Sequence, residues 1–309
     1  MKYIYGPVPS RRLGSSLGVD PIPSKTCNYQ CIYCQLGKTT NFTNTRSNFF
    51  PKKKLQKEIK AAIEKNGDKI DYITFVGSGE PTLYKDIGDL IKTAKSHSTA
   101  PVCVITNGSL LSQKPVQEAL ILADVVLPSL DAWDQTSFIR IHRPHPSLKY
   151  NEIINGFIEF KQKFSGKFWI EVMLMKGIND SKQNLLKIRE KIELIKPDRI
   201  DINVPIRPPC EDWVEIPDKS VFPTLNEVFG DYFPINYPEI GHFEIYSLDF
   251  EKELLNIIER HPLRQEQIFK IFSSTFKKEE IQMQLNIMEK QKKLQKKVYG
   301  GNIFWTLKA

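Results

Sequence analysis

From Lys52 to about Asn203, amphipathic stretches alternate with short apolar runs, and this order leaves few folds open. The expected strands cover residues 18–20, 72–76, 102–106, 125–129, 168–173 and 199–203. Apolar residues at helical spacing place helices at 55–65, 87–96, 115–122, 151–164 and 182–195. A strand followed by a helix, repeated, builds a parallel sheet covered by helices. Six such units predict an α/β fold with a partial (β/α)6 TIM-like barrel rather than a closed eight-fold one. In barrels of this kind the chemistry sits where the loops leave the carboxyl ends of the strands.

The loop after the first expected strand carries Cys27, Cys31 and Cys34, three soft ligands within eight residues. Thiolates select zinc, copper(I) or iron–sulfur centres. A four-iron cluster with complete cysteine ligation carries electrons, whereas three ligands leave one metal open to a substrate. A structural zinc site is the alternative, but it needs a fourth Cys or His close by, and the next after Cys34 is His97. Five cysteines in 309 residues are odd in number and too sparse for a disulfide framework.

The other unusual motifs also follow strands. After residue 76 comes Gly77-Ser78-Gly79-Glu80-Pro81-Thr82, a turn whose glycines let backbone approach a ligand and whose carboxylate can hold an ammonium. The ordinary reading is turn geometry with a helix-start Glu. Asn107 and Gly108 end the third strand, where Asn107 serves either as a ribose contact or as a helix cap. Ser129 and Asp131 follow the fourth. Arg140, His142, Arg143 and His145 form a compact basic set suited to a phosphate or carboxylate, or to the carboxyl ends of helices. Glu171 faces either the cavity or the opposite side by period-two alternation.

The spacing of three and then two residues between the cysteines, with Tyr33 before the last, resembles the signature of the radical S-adenosylmethionine (radical SAM) superfamily. The resemblance runs from about Gly18 to Asn203. It implies that Cys27, Cys31 and Cys34 ligate three irons of a 4Fe-4S cluster and that S-adenosyl-L-methionine chelates the fourth. It further implies that Tyr33 lies near adenine, that Ser78, Gly79 and Glu80 stand where the family's Gly-Gly-Glu motif binds the methionine amino group, and that Asn107, Ser129 and Asp131 line the same cavity. An external one-electron reductant such as flavodoxin or ferredoxin is implied as well. The segments Tyr5–Gly14 and Gly18–Pro23 look most like a subgroup related to wyosine-forming, tRNA-modifying enzymes. Those carry a second cysteine triad ahead of the first, and this chain has no cysteine before Cys27.

The chain is expected to divide into a core barrel at 1–204, a Pro-rich and aromatic covering loop or lid at 205–248, and a module at 249–309. Short helices at 250–261, 265–273 and 278–290, then a hairpin at 297–306 around Gly300-Gly301, resemble a winged helix. Such modules lay a helix into a nucleic-acid groove or dock protein, and Lys290, Lys292, Lys293, Lys296 and Lys297 crowd its end. A formal charge of +8 favours acidic partners, RNA among them. The N-terminal residues 1–12 lack a signal-like apolar core, and the apolar stretch near 119–130 is broken by Asp124 and Pro128. Cytoplasmic location and no membrane span are expected. The sequence leaves open an enzyme acting on RNA, a peptide-modifying enzyme or glycyl-radical activase, and a zinc-dependent nucleic-acid-binding regulator.

Overall fold

The computed structural model describes residues 1–232 and 249–308. Its strands are β1 (Ile4–Ser10), β2 (Gly14–Val19), β3 (Thr26–Cys27), β4 (Asn41–Phe42), β5 (Tyr72–Phe75), β6 (Val102–Thr106), β7 (Val125–Pro128), β8 (Lys167–Met173), β9 (Arg199–Asn203), β10 (Leu263–Arg264), β11 (Leu294–Tyr299) and β12 (Asn302–Leu307). The helices are α1 (Lys52–Asn66), α2 (Ile87–His97), α3 (Lys114–Leu120), α4 (Gln135–His142), α5 (Tyr150–Lys163), α6 (Lys182–Ile195), α7 (Phe222–Phe229), α8 (Phe250–Ile258), α9 (Gln265–Phe272) and α10 (Lys278–Lys290).

One sheet runs in the order β1-β2-β5-β6-β7-β8-β9, parallel from β2 onward. The six parallel strands are those expected. The seventh, β1, pairs antiparallel with β2 at the edge, a place that tolerates Pro7 and Pro9 because an edge strand can leave one row of its N–H groups unpaired. Alternation along each strand then sorts the side chains. Ile73, Phe75, Val104, Val126, Ile170 and Val172 join the large core under the helices. Cys103, Val125, Leu127 and Trp169 point the other way and close the inner face around Leu13.

Helix α5 shows why the helices settle on the outer face. Tyr150, Ile153, Ile154, Phe157 and Phe160 recur at three- and four-residue spacing and are all buried. Each aromatic ring contributes roughly 1.5–3 kcal/mol of burial. Gly156 faces the backbone of Leu111 and Ser112, where a Cβ would lie 2.6 Å from the Ser112 nitrogen.

The described part of the covering segment is packed rather than loose. Val214, Leu225, Val228 and Phe229 are buried in the large core, the last three from α7. Residues 233–248 of the expected lid lie outside the described residues. The C-terminal helices and hairpin stand where the sequence placed them, with β10 added as a third strand in the order β10-β12-β11. They have a core of their own, built on Phe250, Leu254, Phe272, Leu285 and Trp305. The expected lysine cluster is partly neutralised, since Lys293 pairs with Glu251, Lys296 with Glu289 at 2.9 Å and Lys297 with Asp212 at 3.6 Å. Among the described residues, no helix is long and apolar enough to cross a membrane.

Candidate active site

The cysteine loop is laid against the Gly-rich turn as a short added strand. Thr26 bridges Gly79 in parallel, the Glu80 amide donates to the Thr26 carbonyl at 3.1 Å and the Lys25 amide donates to the Ser78 carbonyl at 2.5 Å. This approach requires glycine: a Cβ on residue 79 would fall 1.8 Å from the Thr26 oxygen. The far side of the loop is held by the end of α4. Amides of Gln30 and Ile32 donate to His142 and Ile141 at 2.9 and 3.0 Å, and the Glu211 amide of the covering segment donates to Ile32 at 3.0 Å.

Glu80 is 2% exposed and its carboxylate is engaged internally. Oε1 accepts from the Thr82 amide at 3.0 Å, the Thr82 hydroxyl at 2.5 Å and the Thr106 hydroxyl at 2.6 Å, while Oε2 accepts from the Asn107 amide at 2.7 Å. Burial pushes its pKa up and these donors pull it back. Glu80 thus clamps the end of β5 to the end of β6, and Oε2 keeps capacity for one more donor. Asn107 is likewise committed. Its Nδ2 donates to Asn28 Oδ1 at 2.7 Å and approaches Cys27 Sγ at 3.7 Å, and its Oδ1 accepts from the Ser109 amide at 2.9 Å. The side chain read as a ribose contact or a helix cap steadies the cysteine loop. Ser78 donates its hydroxyl to Asp20 Oδ2 at 2.7 Å.

A second buried group joins the loop to β7. The Tyr33 hydroxyl donates to Asp131 Oδ2 at 2.5 Å, and the Met173 amide donates to Oδ1 at 2.6 Å. Desolvation raises the Asp131 carboxyl to about 7 despite both donors. His142 Nε2 lies 3.6 Å from Asp131 Oδ2, and its Nδ1 lies 3.2 Å from Cys31 Sγ. Burial lowers the imidazole to about 3, so it is neutral. Ser129 sits beside Glu171 in a parallel bridge. Glu171 does face the inside, where it pairs with Arg12 and accepts from Asn203 Nδ2 at 3.3 Å. Arg12 arrives from the turn between β1 and β2, a partner that local sequence gives no sign of.

The basic set at 140–145 does not act as one patch. Arg140 and His142 belong to the last turn of α4, whose start is fixed by an Asp134–Ser137 capping box. Arg140 is exposed and His142 turns inward to Cys31. Arg143 caps the helix in the left-handed conformation and pairs with Glu211, and His145 Nδ1 meets the Ser147 hydroxyl at 2.8 Å. Helical geometry separates the side chains that the sequence places side by side.

The donor set fits a multi-iron cluster. All three thiols are free and half-buried. Burial pushes each of them up, and the thiols raise one another further: Cys34 acts on Cys27, and both act on Cys31. Bound iron reverses this logic, because a coordinated thiol ionises outright. Among the described residues, no three His, Cys, Asp or Glu side chains converge to hold a single metal ion. Three thiols on one loop leave one corner of a four-iron cluster without a protein ligand, whereas a structural tetrahedral zinc takes four ligands. Cys210 lies close enough to Cys34 to raise it as well.

Comparison with solved structures finds the same fold in a radical SAM methyltransferase from Sphaerobacter thermophilus, with a TM-score of 0.54 at 14% identity over 72% of this chain and 66% of that one. A UPF0026 protein of Methanocaldococcus jannaschii is 33% identical over 311 residues, covering 99% of this chain and 96% of its own length. A protein named GTPase Obg from Brachyspira hyodysenteriae is 48% identical over 201 residues, which is 65% of this chain and 29% of that protein. This chain therefore spans less than a third of the latter relative. Residues 22–188, which hold the cysteine loop, the Gly-rich turn and strands β5 to β8, match the model of the radical SAM superfamily. By that match, which spans more than half of the chain, it belongs to the radical SAM superfamily.

Proposed function

We propose that the chain is a radical SAM enzyme that acts on RNA, tRNA included, with Cys27, Cys31 and Cys34 holding a 4Fe-4S cluster and the turn at Gly77–Glu80 receiving SAM. The carrying observation is the docking of Thr26 on Gly79, which holds the cysteine loop against the Gly-rich turn at the carboxyl end of β5. When bound, cluster and SAM supply reductive carbon–sulfur cleavage to methionine and a 5'-deoxyadenosyl radical, with the electron coming from a flavodoxin- or ferredoxin-type donor. The chain's part is placement. Glu80 Oε2 offers an acceptor for the SAM ammonium, Gly79 admits backbone at close range, and Asn107 and His142 fix the cysteine loop. Tyr33, tied to Asp131, is held at the site as one wall for adenine, and Ser129 lines the inner face beside it.

The RNA assignment rests on the C-terminal module, read as winged-helix-like. Lys278, Gln282, Asn286 and Lys290 recur every fourth residue along α10 and form one polar row, with Gln282 Nε2 donating to Asn286 Oδ1 at 3.0 Å. Amide and ammonium groups in such a row suit base edges and phosphates. The likeness of the N-terminal segments to wyosine-forming enzymes agrees with a tRNA substrate, although the second cysteine triad of that subgroup is missing. A polypeptide substrate is the second reading, favoured by the neighbouring row of Met283 and Ile287, 54% and 39% exposed beside Phe269. Incubating reconstituted enzyme, SAM and reductant with total RNA or with protein extract decides between them. A SAM-dependent mass change in a nucleoside supports the proposal, and one confined to a peptide refutes the RNA assignment.

A further inference from the structure

Among the contacts between the two cores of the molecule, one is made by a buried arginine. Arg260 follows α8, is 9% exposed, and reaches across to the barrel. Its Nε donates to Asp20 Oδ2 at 2.7 Å, Nη2 donates to the Lys2 carbonyl at 2.9 Å, and Nη1 is held from its own side by Asn256 Oδ1 at 2.8 Å. Around this contact lies a cavity of about 550 Å³, lined by Lys2, Asp20, Ser78, Lys252, Asn256 and Arg260.

What Arg260 grips is the floor of the Gly-rich turn. Asp20 Oδ2 accepts from Ser78 as well as from Arg260, and a Cβ on Gly77 would fall 2.2 Å from the Asp20 carboxyl carbon. The Ser78 carbonyl in turn holds the Lys25 amide at the start of the cysteine loop. The other end of that loop is tied to the same place, since Gln35, next to Cys34, donates to the Arg260 carbonyl at 3.3 Å. Gln35 also accepts from Arg207 of the covering segment at 3.3 Å. One residue of the C-terminal module therefore touches the support of the Gly-rich turn and one end of the cysteine loop.

We infer that Arg260 is a positioning residue for the SAM turn, so that the C-terminal module completes the cofactor site rather than serving only to dock substrate. It acts through Asp20, whose carboxylate would otherwise be buried without a countercharge and free to draw Ser78 out of place. This rests on the reading of Gly77–Glu80 as the SAM site.

The test is equilibrium binding of SAM to the full-length, anaerobically reconstituted protein. Arg260→Gln is expected to weaken SAM binding about tenfold, the effect of removing a partner that orients a binding shell, with iron per chain unchanged. Arg260→Lys regains part of the loss. Asp20→Asn combined with Arg260→Gln binds no worse than the weaker single variant, because both act through one contact. SAM binding by Arg260→Gln equal to wild type overturns the inference. Should that variant fail to fold, hydrogen exchange of the wild-type protein replaces it: SAM should slow exchange of amides 256–261, and unchanged exchange there overturns the inference. Wild-type protein that binds no SAM removes the underlying reading of the turn itself, a result distinct from equal binding by wild type and Arg260→Gln.

Discussion

The Thr26 carbonyl oxygen lies 1.8 Å from where a Cβ on Gly79 would fall. No side chain fits between the cysteine loop and the Gly-rich turn, and that contact sets how closely the two approach. Gly79→Ala is expected to push the loop away and to lower iron retention after anaerobic reconstitution severalfold, with a stability loss of about 1–3 kcal/mol, as for strain at a backbone contact. Iron titration and thermal melts of the same preparation measure both.

Glu80 joins two strand ends through four hydrogen bonds. Glu80→Ala leaves the buried Thr82 amide and the part-buried Asn107 amide without acceptors, which costs up to about 1–3 kcal/mol for each unsatisfied group. A fall in melting temperature together with weaker SAM binding is expected. Weaker SAM binding at an unchanged melting temperature would mean that the carboxylate serves only the ligand.

The Asp131 carboxyl is raised to about 7 by burial. A carboxyl that holds its proton more tightly when folded adds stability that is complete below the unfolded value near 4. That stability is lost as pH rises through about 7. Asp131→Asn removes this slope, so the wild-type melting temperature should fall relative to the variant between about pH 4 and 7 and run parallel to it above. Melting curves across that range test it, and parallel curves throughout would show Asp131 titrating normally.

Cys210 stands near Cys34 on the covering segment. With three-cysteine ligation, Cys210→Ala retains iron content and SAM cleavage at close to wild-type levels. Loss of a quarter or more of the iron would instead make Cys210 a fourth ligand and close the metal to SAM.

The barrel is legible in the sequence because each parallel strand is a short apolar run followed by a helix with its own period. Strands β6 and β9 and helices α6 and α10 match the expected limits in full. Strand β1 is hidden by Pro7 and Pro9, and α4 by the basic residues at its end, although Asp134 and Ser137 carry the capping signal. At the site, the residue types are legible and their allegiances are not. Asn107 and Glu80 both tie neighbouring segments of the protein together, a consequence of contacts between strand ends that no local pattern encodes. Glu171 with Arg12, and Asp20 with Arg260 at a separation of 240 residues, are pairings that only the folded chain creates.

If Cys27, Cys31 and Cys34 together hold a cluster that cleaves SAM, losing one of them abolishes the cleavage. The most direct measurement is 5'-deoxyadenosine formed from SAM by dithionite-reduced, reconstituted protein, wild type against Cys34→Ala. Product is expected from the wild type and none above background from the variant. Cleavage by Cys34→Ala at the wild-type rate would contradict it.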